Sequence, residues 1–244
     1  MSPAKHYEVL FIDLDDTLYD FSSNSREAYC AVYELLNYDQ WFENFEHYYD
    51  IYWEYNQKLW ARYSAGEITR DYLNAERYAP PLRVMNVPDA EAISIRFWDE
   101  SMKRLPLGTR LMPHAREILE YLRPKYRLYI LSNGFTELQS RKMNSAGIAH
   151  YFDGVILSED IGVNKPHPAI FEHALHVAGV TADQALMIGD NLEADIQGAH
   201  QVGMEQVFYN VKQLTLTDIQ SSAESPLPCP THTIHSLLEL KEIL

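Results

Sequence analysis

Apolar positions in this chain fall into two patterns. Short continuous apolar stretches, Val9-Leu10-Phe11-Ile12, Leu128 to Leu131, Val155-Ile156-Leu157, Ala185 to Ile188 and Gln206 to Tyr209, read as strands buried on both faces. Between and after them, helical spacing bounded by proline or glycine predicts helices over 113–122, 136–146, 168–178 and 194–202. A last strand and helix are expected near 231–234 and 236–243. Strands separated by helices of this length imply a parallel sheet covered on both faces.

The segment between the first strand and the second is different. It predicts helices over 26–36, behind the N-cap candidates Ser22 to Ser25, and over 41–63, 69–85 and 88–103, with Pro80-Pro81 breaking or kinking the third. It holds all four tryptophans and eleven of the 17 tyrosines. The expected architecture is therefore α/β, a doubly wound, Rossmann-like parallel sheet over 1–17 and 106–244, with an inserted helical cap over 18–105. The Ser- and Pro-rich stretch 221–230 is the expected loose segment.

Charge narrows the partners. A formal net charge of −15 opposes encounter with a nucleic-acid polymer or an anionic membrane, and a small anionic substrate would need one locally positive pocket. Cys30 and Cys229 sit in no metal-binding spacing, and the first apolar run is broken by Asp13. No stretch approaches the roughly 20 apolar residues of a membrane span. These features lead us to expect a cytoplasmic protein.

Candidate chemistry lies at four points that a parallel sheet would bring to one edge. They are Asp13-x-Asp15-x-Thr17 after the first strand, Ser132-Asn133-Gly134 after the second, Lys165 in Asn164-Lys165-Pro166, and Gly189-Asp190 followed by Asp195. Crowded carboxylates at a strand end repel one another unless a cation neutralises them. An aspartate can attack phosphorus, and a second one two residues on faces the same way in an extended segment, placed to move a proton.

In this order the four motifs resemble those of the haloacid dehalogenase-like (HAD) superfamily, and the helical insertion looks like its type I cap. The resemblance implies a phosphomonoester hydrolase with Asp13 as nucleophile and Asp15 as general acid and base. Mg²⁺ would be held by Asp13, the Asp15 carbonyl and Asp190, with Asp195 and Thr17 supporting them. Ser132, the Asn133 amide and Lys165 would hold the phosphoryl oxygens. Within the superfamily, Asp-x-Asp-x-Thr-Leu-Tyr-Asp and the surroundings of Lys165 look most like the pyrimidine 5′-nucleotidase branch. A sugar-phosphate or phosphoglycolate phosphatase is the alternative, followed by a phosphomutase, a 2-haloacid dehalogenase and a non-catalytic binding protein. Fifteen acids against nine basic residues in the insertion disfavour a second phosphate site there. Tyr19 and Phe21 are expected near the pocket mouth, where they could contact a small phosphorylated metabolite; Asp16 and His167 are read as structural.

Overall fold

The computed structural model describes residues 7–211, 213, 214 and 228–244, so residues 221–227 of the expected loose segment lie outside the described residues. The chain packs as two compact units, Met1–Phe21 with Thr109–Leu244, and Ser22–Gly108. The first unit contains a six-stranded, all-parallel sheet. Its strands are Val9–Ile12 (β1), Arg127–Ser132 (β2), Gly154–Leu157 (β3), Ala185–Gly189 (β4), Glu205–Tyr209 (β5) and His232–Ile234 (β6), in the order β3-β2-β1-β4-β5-β6.

Alternation within β1 explains why the sheet is covered twice. Leu10 and Ile12 point into one apolar cluster with Leu128, Ile130, Leu186 and Ile188, closed by Ile118, Leu119 and Leu122 of helix Ala115–Leu122 and Met143 of helix Thr136–Ser145. Val9 and Phe11 point into the other, closed by Ile170, Phe171 and Ala174 of helix Pro168–Ala178. All four residues of β1 are buried, and Ile12 lies in register with both Ile130 and Ile188. The residue after Ile12 therefore leaves the sheet at its centre, at the carboxyl edge where ligands of such folds bind.

Two boundaries differ from the expected ones for reasons visible in side chains. The helix expected over 26–36 spans Phe21–Leu35, because Ser25 Oγ donates to the Ser22 carbonyl (3.3 Å) inside the helix instead of capping it. The helix expected over 194–202 starts at Leu192 with a wide π-type turn through Gln197, entered where Asn191 Oδ1 accepts from the Glu193 and Ala194 amides at 3.1 and 2.9 Å.

The second unit is helical, with helices Phe45–Ser64, Arg70–Glu76, Ala79–Val84 and Ala90–Arg104. Asn44 and Thr69 cap the first two through His47 N–H (2.9 Å) and Tyr72 N–H (3.2 Å), and the prolines fall in the first turn of Ala79–Val84, splitting the expected 69–85 helix in two. Its core is aromatic: Tyr29, Tyr38, Tyr48 and Tyr78 surround Phe97 with ring centroids 5.0–6.0 Å away. The hydroxyls of Tyr52 and Tyr78 each lie 3.2 Å from that of Tyr29, and Arg77, only 4% exposed, donates through Nη2 to Tyr52 (3.3 Å) and Tyr29 (3.5 Å). Its guanidinium stands 5.1 Å from the Tyr78 ring centroid and 5.6 Å from that of Trp60, while among the described residues Nε has no partner and no carboxylate forms an ion pair with it. No helix among the described residues is long and apolar enough to cross a membrane.

A buried cation held only by hydroxyls and ring faces costs more desolvation than it recovers. Arg77→Met, which keeps the volume and removes the charge, is therefore expected to hold or raise Tm in calorimetry. Arg77→Ala, which leaves a void, should cost about 2 kcal/mol or more.

Candidate active site

The site begins where β1 ends. Asp13 N–H donates to the Ile188 carbonyl (2.9 Å), which ties the first residue beyond β1 to the end of β4. The chain then turns sharply: Leu18 and Tyr19 amides donate to the Leu14 carbonyl at 3.0 and 2.9 Å, and Asp16 takes a positive φ of 60°. This turn brings Thr17 against β4. Its hydroxyl donates to Asp190 Oδ1 (3.2 Å) and accepts from the Asp190 amide (3.1 Å).

Lys165 joins three strand ends. Its ammonium donates to Asp13 Oδ1 (2.7 Å), the Leu131 carbonyl (2.7 Å) and Asp195 Oδ1 (2.6 Å), so all three hydrogens are directed at protein acceptors. Asn133 fixes the backbone beneath it: Asn133 Nδ2 donates to the Lys165 carbonyl (3.0 Å) and Asn133 Oδ1 accepts from the Lys165 amide (2.7 Å). Asp195 is delivered by the π-type turn, and its other oxygen accepts from the Asn191 amide (3.1 Å). Gly189 makes this possible, since a Cβ there would collide with the Asp195 carboxylate.

Asp13, Asp190 and Asp195 consequently place carboxylate oxygens within 4.8 Å of one another. Three carboxylates face one lysine. Burial pushes the Asp13 carboxyl well above the usual carboxylate range, the charges of Asp195 and Asp190 push it further, and Lys165 opposes them. Burial also works against the Lys165 ammonium, but Asp13 and Asp195 outweigh it and hold its pKa above the ordinary lysine value. An all-oxygen, carboxylate-rich donor set with excess negative charge fits a hard divalent cation. Both Asp195 oxygens already accept hydrogen bonds, from Lys165 and from the Asn191 amide, which fits a supporting place for Asp195 in this cluster.

Asp15 is absent from that cluster. Its carboxylate accepts from Lys142 Nζ at 2.9 and 3.0 Å and from Gln139 Nε2 at 3.0 Å. Gln139 Nε2 also donates to Ser132 Oγ (2.8 Å), whose oxygen accepts from the Gly134 amide as well (3.1 Å). Lys142 and Gln139 were missed in the sequence reading. The available signal was their place on the buried stripe Leu138, Gln139, Lys142, Met143 of helix Thr136–Ser145, where a lysine and a glutamine need a polar partner.

Of the remaining candidates, Tyr19 is fully buried in the core of the first unit, and Phe21 packs at its edge, with Lys142 Nζ 4.3 Å from the Phe21 ring centroid and 5.6 Å from that of Tyr19. His167 caps helix Pro168–Ala178, its Nδ1 accepting from the Ala169 amide (3.2 Å).

Residues 7–203 match the family model described as haloacid dehalogenase-like hydrolase. The chain belongs to the haloacid dehalogenase-like hydrolases. This hydrolase is 30% identical over 243 residues to the pyrimidine 5′-nucleotidase YjjG of Escherichia coli, covering 98% of each chain. It is 28% identical to the pyrimidine 5′-nucleotidase PynA of Streptococcus pneumoniae, over 98% of this chain and 95% of that one. Among solved structures, the magnesium-bound HAD-hydrolase YfnB of Bacillus subtilis superposes with a TM-score of 0.82 at 27% identity, over 98% of this chain and 99% of that one. This HAD hydrolase is thus an enzyme, and its parallel α/β sheet is the family's fold.

The raised pKa of Asp13 has a consequence for the metal-free protein. Because the folded state holds this proton more tightly than the unfolded chain, the associated stability is present at low pH and is lost as pH rises through the folded pKa. In chelator, Asp13→Asn and wild type should have similar Tm near pH 4, and the variant should gain progressively on wild type toward pH 8. A pH-independent difference in calorimetry would contradict the assigned charge balance.

Proposed function

We propose that this HAD hydrolase is a Mg²⁺-dependent phosphatase working through an aspartyl-phosphate on Asp13, with pyrimidine nucleoside monophosphates as substrates. The observation that carries the reading is the separation of the two carboxylates: Asp13 lies with Asp190, Asp195 and Lys165, Asp15 with Lys142 and Gln139. Asp13 belongs to the carboxylate cluster and is assigned the attack on phosphorus, and Asp15, paired away from that cluster with side chains of helix Thr136–Ser145, is assigned the proton transfers. Similarity along the whole chain to two pyrimidine 5′-nucleotidases supports the substrate class.

The residues divide the reaction as follows. Asp13 Oδ2 attacks phosphorus while Oδ1 stays on Lys165, and the leaving oxygen takes a proton from Asp15. Ser132 Oγ accepts two hydrogen bonds, which directs its own O–H toward an incoming phosphoryl oxygen. Lys165 contacts such an oxygen only by releasing one of its three acceptors, so its first role is to neutralise Asp13 and Asp195. Asp15 then takes a proton from the water that hydrolyses the intermediate. Asp13 and Asp190 are the residues that would hold Mg²⁺, which when bound neutralises charge on the phosphoryl group. The helical unit Ser22–Gly108 is assigned the choice of leaving group, and the setting is the cytoplasm.

A phosphate-release screen over nucleoside monophosphates, sugar phosphates and phosphoglycolate tests this directly. Pyrimidine monophosphates should be the preferred substrates, chelator should abolish turnover, and Asp13→Asn should lower kcat by about 10⁴-fold or more. Preference for a sugar phosphate would remove the nucleotidase assignment. Turnover that survives Asp13→Asn would remove the mechanism.

A further inference from the structure

Lys142 is a nearly fully buried lysine, 2% exposed, and its one ion pair among the described residues is with Asp15. We infer that Lys142 and Gln139 form a clamp that fixes the plane of the Asp15 carboxylate and aims it at the oxygen whose proton it exchanges. The inference rests on the phosphatase reading above and assigns two positioning residues to it.

The geometry carries the argument. A carboxylate offers about four acceptor directions. Lys142 Nζ lies across both oxygens at 2.9 and 3.0 Å, and Gln139 Nε2 takes a third direction at 3.0 Å. One direction is left, and the carboxylate cannot rotate without breaking contacts to both donors. The donors are themselves fixed. Both project from helix Thr136–Ser145, three residues apart and on one face. The Lys142 ammonium lies over the Phe21 ring, which opposes its withdrawal toward solvent. Gln139 is fully buried and holds Ser132 Oγ with the same amide nitrogen, so the proton-transfer carboxylate and a phosphate-binding hydroxyl share one anchor. Gly134 leaves room for this, because a Cβ there would overlap the Gln139 side chain.

The clamp also keeps the two carboxylates of the motif apart. Lys165 and Lys142 each hold one of them from a different element, and the Asp15 side chain stays out of the Asp13, Asp190 and Asp195 cluster. Without Lys142, the Asp15 carboxylate would be a mobile anion free to turn toward the cation site.

The test compares leaving groups. kcat/KM reports steps only through departure of the leaving group, and p-nitrophenolate departs without a proton whereas a nucleoside does not. Lys142→Met should lower kcat/KM for a pyrimidine monophosphate by about 100-fold, and at least tenfold less for p-nitrophenyl phosphate. KM should stay within about threefold for the pyrimidine monophosphate, and Lys142→Arg should restore most of the loss, as expected if position rather than bulk matters. Gln139→Leu should show the same leaving-group dependence more weakly. Equal losses on both substrates would overturn the clamp in favour of a general structural role. A second readout needs no turnover: in chelator, Asp15→Asn and Lys142→Met should each lower Tm, and the double variant should lose clearly less than the sum. Additive losses would overturn the pairing. Should the wild type release phosphate from neither substrate, the phosphatase reading fails while the thermal cycle still decides the clamp.

Discussion

The buried contact of Lys165 with Asp13, Asp195 and the Leu131 carbonyl is the interaction on which the rest of the site depends. It joins the ends of β1 and β2 to the π-type turn after β4, and it sets a positive charge against Asp13 and Asp195. Burial is the largest cause of the upward shift of Asp13, and the charges of Asp195 and Asp190 add to it against the opposing Lys165. The cluster of Asp13, Asp190 and Asp195 carboxylates fits a divalent cation. Any positive potential at this edge is local, with Lys165 set against a net charge of −15.

The second feature is the separation of two aspartates only two residues apart, to which the proposed mechanism gives different roles. Asp13 continues the strand direction and meets the carboxylates delivered by β4. Asp15 belongs to the turn that follows and meets a helix. The two therefore have different partners, and chemistry that needs one carboxylate as a nucleophile and the other as a proton carrier has its requirement met by backbone geometry. The sheet register makes this possible, because Ile12 pairs with both Ile130 and Ile188 and leaves Asp13 at the centre of the carboxyl edge.

How far the sequence revealed this depends on the kind of signal. The strands of the sheet were legible because buried parallel strands are short unbroken apolar runs, and a polar residue directly after such a run stands out. Asp13, Ser132 and Asp190 were each found that way, and the structure brings all three to one edge with Lys165. The mutual contacts of Asn133 with Lys165, and of Thr17 with Asp190, could not be read, because they depend on register between distant segments. Lys142 was harder still. A lysine on an amphipathic helix ordinarily extends its head to water, so its place on the stripe of Leu138 and Met143 was a weak signal, and the position of Asp15 shows that this one turns inward. The same limit applies to Tyr19, whose nearness to the nucleophile in sequence suggested a pocket, whereas the sharp turn after Leu14 folds it into the apolar core. Tyrosines in the helical unit looked like ordinary core residues, yet three of their hydroxyls converge around Arg77.

The central claim is that Asp13 forms the covalent bond to phosphorus while Asp15 does not. Acid quenching during turnover, reduction with labelled borohydride and peptide mapping test it most directly, since an aspartyl-phosphate is reduced to homoserine and a free carboxylate is not. Label confined to position 13 is the predicted result. Label at position 15, or none at either position while phosphate is being released, would contradict the account.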